Sequence, residues 1–213
     1  MRCYRKISEI PRILMAALLL CLCLAAPSVA LGEVEIRSTR FVAGDEGYSL
    51  SADFDISFSP RLEEAVARGV VLYFVADFEL TRQRWYWFDE KIVKASQIWR
   101  LSYHALTRQY RLYSGSSGAL HQSFGTLADA LHVLSHIRSW QVAGKDRLAP
   151  DTSYEAALRL RLDPSQLPKP FQIEAMANRD WNLASEWERW RFTPGVPPPV
   201  SAPSPEGDTA ESR

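Results

Sequence analysis

Cysteine is nearly absent from this sequence. The three cysteines, Cys3, Cys21 and Cys23, all lie within the first 23 residues, and the rest of the chain has none. That remainder therefore has no disulfide, no thiolate metal site and no cysteine nucleophile. Its stability must come from an apolar core, which a segment of about 160 residues is long enough to form.

An excess of one charge is also lacking. The whole chain has 25 basic and 25 acidic side chains, and residues 31–193 keep this balance with 20 against 21. A domain that binds nucleic acid would have a net basic balance. The composition therefore argues against nucleic acid as a partner.

The first thirty residues have the layout of a secretory signal peptide. Residues 2–12 carry four basic side chains, residues 13–26 have no charge, and Ser28-Val29-Ala30 follows as a small-residue cleavage site. We expect a signal peptide over residues 1–30 and a periplasmic or secreted mature protein. The alternative is an inner-membrane anchor over residues 13–31, an uncharged stretch of 19 residues. Membrane contact is expected only if this leader is retained.

The other end of the sequence is rich in proline. Residues 194–213 contain six prolines, and their largest apolar side chains are two valines. Such a segment has too little apolar surface to pack, so we predict a disordered proline-rich tail. Residues 31–193 are then left as a single domain.

Alternating apolar and polar residues predict that this domain is mainly β. The period of two is clearest over residues 48–58, where tyrosine, leucine, phenylalanine and isoleucine alternate with serine and aspartate. The strands predicted from such patterns are residues 33–42, 48–58, 70–80, 92–106, 110–114, 154–162 and 185–192. Regular alternation of strands with helices is missing, which favours an antiparallel β-sandwich, immunoglobulin-like in arrangement.

Two short helices interrupt the strands. Ser59 followed by Pro60 is typical of a helix start, and Gly69 of a helix end, which predicts a helix over about 60–68. Thr126 and Asp129 have the spacing of a capping box, and an apolar stripe continues to Ile137. This second pattern predicts a helix over about 126–138.

Several segments, taken in order, resemble a proteobacterial family of exported proteins. They are RQYRLYSG (108–115), SFGTLADAL (123–131), IRSW (137–140), LRLDPSQLPKPFQI (160–173) and DWNLASEWERW (180–190). The family is catalogued as a domain of unknown function and sometimes labelled a proline-rich signal-peptide protein. Its genes often lie beside a membrane sensor kinase of the nitrogen-regulation type, which the resemblance makes a candidate partner. The resemblance implies no catalytic residue.

The patterns that could carry enzyme chemistry are incomplete. His132 and His136 have helical i, i+4 spacing, but Val133 stands where a zinc-protease motif has glutamate. The loop of residues 115–118 lacks the spacing of a serine nucleophile elbow. Asp89 and Glu90 are adjacent, so on a strand they would point to opposite faces. We predict no catalytic residue, no metal site and no cofactor.

The segment RWYWFDEK, residues 84–91, places four aromatic side chains in a row. On a strand, Trp85 and Trp87 would share one face and Tyr86 and Phe88 the other, as in a strand covered on both sides. The alternative is an exposed aromatic platform for a sugar or peptide, with Arg82 and Arg84 supplying charge. Both interpretations stay open on the sequence.

Arginines also recur on the faces predicted to be solvent-exposed. Arg100, Arg159 and Arg161 would form a stripe with Arg111 if their strands are neighbours. The alternative is cross-strand pairing with acidic residues, for which the candidates are Glu155, Glu186 and Glu188.

The sequence thus predicts an exported, non-enzymatic domain that binds a protein or another envelope component, with a sensor kinase as one candidate. The candidate binding residues are Arg82, Arg84, Trp85, Trp87, Arg100, Arg159 and Arg161. The alternative function is an envelope hydrolase or sugar-binding module that uses the tryptophan-rich residues 84–91.

The leader generates the first testable prediction. Because the charged, apolar and small-residue regions occur in order, we expect cleavage after Ala30 and release of a soluble mature form. Mass spectrometry of the protein purified from the cell envelope measures this directly. Recovery of intact residues 1–30 in the membrane fraction would instead identify an anchor.

Overall fold

The computed structural model describes residues 32–83, 89–115 and 121–195. Within these residues the chain forms nine strands, most of them where the sequence alternates between apolar and polar side chains. The strands are β1 (Glu33–Ala43), β2 (Tyr48–Ser57), β3 (Leu72–Arg82), β4 (Glu90–His104), β5 (Gln109–Ser114), β6 (His121–Phe124), β7 (His136–Ala143), β8 (Tyr154–Leu162) and β9 (Glu188–Phe192). The α-helices are α1 (Pro60–Ala67), α2 (Leu127–Leu134) and α3 (Lys169–Ala177).

The strands form two antiparallel sheets. One has three strands in the order β1-β2-β7, and the other has six in the order β6-β5-β4-β3-β8-β9. The predicted antiparallel β-sandwich is confirmed. The three-stranded sheet has as many strands as the smaller sheet of an immunoglobulin constant domain, and the six-stranded sheet has two more than the larger one.

The core lies between the sheets and is centred on β3. Every second residue of β3 from Leu72 to Leu80 is fully buried, as the period-two pattern predicted. Phe78 contacts Phe41 of β1 and Trp140 of β7, with ring centroids 5.3 and 6.4 Å apart. Aromatic side chains from three strands therefore join the two sheets.

Two helices, together with the three-stranded sheet, cover the inner face of the six-stranded sheet. α1 packs on β4, and α2 packs on β5 and β6. Both helices start as predicted. The Ser59 hydroxyl accepts a hydrogen bond from the Leu62 N–H, and the Thr126 hydroxyl accepts one from the Asp129 N–H.

The second helix is shorter than predicted. It ends at Leu134, and the chain continues from His136 as strand β7 rather than as helix to residue 138. β7 completes the narrow sheet by pairing with β2, and it buries Ile137, which is 2% exposed. Ile137 fits the apolar stripe of α2, so the sequence pattern predicted helix where the chain is already strand β7. The local sequence does not show that β7 pairs with a distant strand.

A third helix, α3, lies outside the one or two that we predicted. It follows Pro168, and its aromatic residue Phe171 packs against Trp181 with ring centroids 5.6 Å apart. Within the part of the chain that the structure describes, no helix combines the length and apolarity needed to cross a membrane.

The turn between β1 and β2 generates a prediction about stability. Gly47 has φ +139°, and a Cβ there would lie 2.2 Å from the Ala143 carbonyl oxygen at the end of β7. We expect Gly47→Ala to lower the free energy of unfolding by about 2 to 4 kcal/mol, through strain and displacement of β7. Denaturant unfolding measures the loss.

Gly44 in the same turn is the matched control. A Cβ at Gly44 would meet its nearest neighbour, the Gly47 carbonyl oxygen, at 3.6 Å, an ordinary contact. Gly44→Ala should therefore change the free energy of unfolding by less than about 1 kcal/mol. Equal losses in the two variants would contradict the close approach of Gly47 to β7.

Candidate functional site

The outer surface of the six-stranded sheet is formed by the side chains of β3, β4, β5 and β8 that alternate with the core residues. We call its central part the arginine face. It consists of Tyr73, Val75, Asp77, Ile98, Arg100, Tyr113, Arg159 and Arg161. Three of the predicted binding residues, Arg100, Arg159 and Arg161, thus share one face.

Strand register fixes how these arginines are spaced. Arg100 of β4 lies opposite Tyr73 of β3, whereas Arg161 of β8 lies opposite Val75. β3 therefore separates the strands that carry Arg100 and Arg161, which places those strands about 10 Å apart. Arg111 follows on β5, beyond β4. The predicted stripe is divided into two pairs of arginines with β3 between them.

Asp77 of β3 binds one of these pairs. Its Oδ2 accepts hydrogen bonds from Arg161 Nε at 2.9 Å and Arg159 Nη2 at 3.2 Å. Its Oδ1 accepts a third from the Ser96 hydroxyl at 3.0 Å. Cross-strand pairing with an acidic side chain, the alternative to the stripe, is therefore present for Arg159 and Arg161, but the partner is Asp77 of β3 and not Glu155, Glu186 or Glu188. Glu155 interacts with Arg189 instead, at 3.6 Å.

The charge of Asp77 is stabilised although its side chain is only 14% exposed. Burial by itself raises the pKa of this carboxyl, but the hydrogen bonds from Arg161, Arg159 and Ser96 outweigh burial and hold the pKa below its ordinary value. The carboxylate is therefore ionised at neutral pH. Its ion pairs fix the two arginines of β8 against β3.

Arg159 is held from a second side by Trp187. The guanidinium carbon lies 4.5 Å from the Trp187 ring centroid, which is a cation–π contact. Arg159 Nε is buried and has no hydrogen-bond partner among the described residues. Trp187 and Asp77 thus fix this arginine, which limits its freedom to reorient toward a ligand.

Arg100 differs from the arginines of β8. Its guanidinium carbon lies 4.1 Å above the Tyr113 ring, and Tyr113 stacks on His121 with centroids 5.5 Å apart. Across residues 32–83, 89–115 and 121–195, no carboxylate forms a salt bridge with Arg100. The side chain is exposed, so its positive charge is oriented by an aromatic ring and is open to an anionic group.

Ile98 lies beside Arg100 on the same face and was not among the predicted site residues. It is 51% exposed, although it lies opposite Val75, which is 5% exposed. The outer residues of β4 around it are Lys94, Ser96 and Arg100, so Ile98 is the apolar exception on a polar face. That exception is a sequence signal, because a large apolar side chain on a solvent-exposed face is typical of an interaction surface.

The other predicted binding residues lie elsewhere. Arg82 is at the far end of β3, where it pairs with Glu90 at 2.5 Å, about 30 Å along the strand from Tyr73. Arg84, Trp85 and Trp87 lie outside the described residues, as do the serines of the 115–118 loop. The two interpretations of the aromatic segment therefore both stay predictions.

The histidine pair is close in space but not on one helix. His132 is on α2 and His136 is the first residue of β7, with ring centroids 4.5 Å apart. The His136 Nδ1 lies 2.9 Å from the Ser135 hydroxyl, and its Nε2 lies 3.7 Å from Asp53 Oδ1. Among the described residues, no three histidine, cysteine or acidic side chains are grouped to hold a metal ion. The contacts join α2 and β7 to β2.

Asp77 generates a prediction about pH. A carboxyl whose pKa is lower in the folded state stabilises the protein above the unfolded pKa, and this contribution is lost as the pH falls through the folded pKa. Asp77→Asn should lower the free energy of unfolding at pH 7 by about 1 to 3 kcal/mol. The difference in unfolding free energy between the variant and wild type should shrink as the pH falls below 3.8, the ordinary pKa of an aspartate side chain.

Urea unfolding at several pH values between neutral and about pH 2 measures this difference. Asp163→Asn is a suitable control, because this carboxylate lies 3.7 Å from Arg161, a longer and weaker contact. A loss that is equal for the two variants, or independent of pH, would contradict the role of Asp77.

Comparison with known proteins is consistent with the resemblance seen in the segments above. No curated protein and no solved structure matches the chain significantly. A family model described as "Domain of unknown function (DUF4390)" matches residues 32–191, which include every strand of the two sheets except the last residue of β9. The chain therefore belongs to this family.

Proposed function

We propose that this chain is an exported, non-enzymatic interaction domain that binds a protein or another component of the cell envelope through the arginine face. The observation that carries the proposal is Arg100, an exposed cation stacked on Tyr113 beside the exposed Ile98. An oriented charge next to an apolar side chain is the usual composition of a binding surface.

The chemistry of the face specifies a partner with acidic groups. A guanidinium presents a planar fork of N–H donors that matches a carboxylate or phosphate. Arg159 and Arg161 are already engaged by Asp77, so Arg100 has the greater capacity to accept a new anion. Ile98 adds apolar area that a partner would desolvate, which favours a protein over a free small anion.

The arrangement of the carboxylates supports binding over catalysis. A general base needs access to a substrate and a pKa near the operating pH. Asp77 instead has three hydrogen-bond donors and a pKa below its ordinary value. Its role on the face is to position arginines.

The leader and the family resemblance suggest where this binding takes place. A cleaved signal peptide would place the domain in the periplasm or outside the cell, where the external part of a membrane protein is accessible. We therefore propose a membrane sensor kinase as one candidate partner, with the domain acting as its accessory. This candidate rests on the resemblance and requires a direct test.

Photo-crosslinking in intact cells tests the proposal. Replacing Ile98 by p-benzoylphenylalanine places the reactive group on the arginine face, and we expect a specific crosslink to an envelope partner. The same amino acid at Leu106, which is 93% exposed in the β4–β5 turn, is the control position. Mass spectrometry of the crosslinked band identifies the partner and tests the sensor kinase directly.

Charge reversal supplies the second half of the test. Arg100→Glu should reduce the crosslink at Ile98 at least tenfold, because it removes the oriented cation. Lys94→Glu is the matched control on the outer side of the same strand. Equal crosslinking from Ile98 and Leu106, or equal loss in both charge variants, would contradict binding at the arginine face.

A further inference from the structure

A second surface lies on the other side of the six-stranded sheet, between α1 and α2. It is an open groove of about 620 Å³, within the range of known ligand pockets. Most of the residues that line it are apolar or aromatic, among them Ile56, Phe58, Ala67, Tyr110, Ala128 and Leu131. Glu63 and Glu64 of α1 supply its charged groups.

The groove exists because two separate elements cover one sheet. β2 ends at Ser57, and beyond it the inner face of the six-stranded sheet is covered by α1 and α2. Tyr110 of β5 is half-buried in the space they leave and packs on Tyr103 with ring centroids 4.9 Å apart. The walls are thus held by secondary structure, so the groove is formed before a ligand arrives.

The charged side of the groove is acidic. Glu64 pairs with Arg68 at 2.6 Å, but Glu63 forms no salt bridge within residues 32–83, 89–115 and 121–195. Among the residues that the structure describes, no basic side chain lines the groove. An apolar ligand with one cationic group would therefore bury its apolar part on Tyr110 and Leu131 and place the cation beside Glu63.

We propose that this groove binds a short apolar segment of a partner protein that carries a lysine or arginine. The eight residues of α1 make a wall about 12 Å long. This length accommodates about four residues of extended peptide. The groove and the arginine face have opposite charge and lie on opposite sides of one sheet, so this site is independent of the proposed function.

A random twelve-residue peptide library displayed on phage, selected on the purified protein, tests the groove. We expect the enriched peptides to combine apolar residues with lysine or arginine. Their affinity should fall at least tenfold for Ala128→Trp, which fills the groove from an exposed position, and for Glu63→Lys. Met176→Trp and Glu174→Lys on the exposed side of α3 are the matched controls and should not change binding.

The outcomes separate the two surfaces. Peptides that lose affinity with the groove variants but keep it with Arg100→Glu support the groove. The proposal is overturned if no peptide is enriched, if the enriched peptides are acidic, or if they bind Ala128→Trp as well as wild type. Peptides that depend on Arg100 alone would also overturn it and would assign binding to the arginine face. Circular dichroism confirms that each variant is folded.

Discussion

The unequal width of the two sheets is the constraint on which the rest of this structure depends. In the part of the chain that the structure describes, six strands form one sheet and three form the other. A sheet face that carries phenylalanine and leucine must be covered, so α1 and α2 continue the cover over β4, β5 and β6. The short helices are thus part of the core, and the groove lies between them. The outer face of the wide sheet has no such cover from either helix, and Arg100 and Ile98 are exposed on it.

Asp77 shows how that outer face is stabilised. A carboxylate that is 14% exposed on the central strand would be costly without partners. It receives hydrogen bonds from β4 through Ser96 and from β8 through Arg159 and Arg161. One side chain therefore links three adjacent strands and fixes two arginines. Arg100 is outside this network and is oriented by an aromatic ring instead. The same face thus combines a structural ion-pair cluster with an exposed cation.

More of the fold than of the candidate site could be predicted from the sequence. Strand positions were predictable because a period of two records which residues face the core, as in β3. The end of α2 was not, because Ile137 suits a helical stripe and a buried strand equally well. The partner of Arg159 and Arg161 was missed for a related reason. Pairing depends on strand order, and only the folded sheet shows that β3, with Asp77, lies between β4 and β8.

The exposed Ile98 illustrates what sequence patterns can add to such a site. From Lys94 to His104 of β4, the outer positions are polar except for this residue, so alternation identifies it without a structure. Alternation does not say whether the neighbouring strands cover it. The structure shows that Ile98 is half exposed, although Val75 opposite it is buried. A large apolar residue that breaks the pattern and also stays exposed is typical of an interaction surface. Within the described residues Arg100 also forms no salt bridge, and the two observations together are the physical reason why we propose binding on this face rather than at the histidine pair, which contacts Ser135 and packs ring on ring.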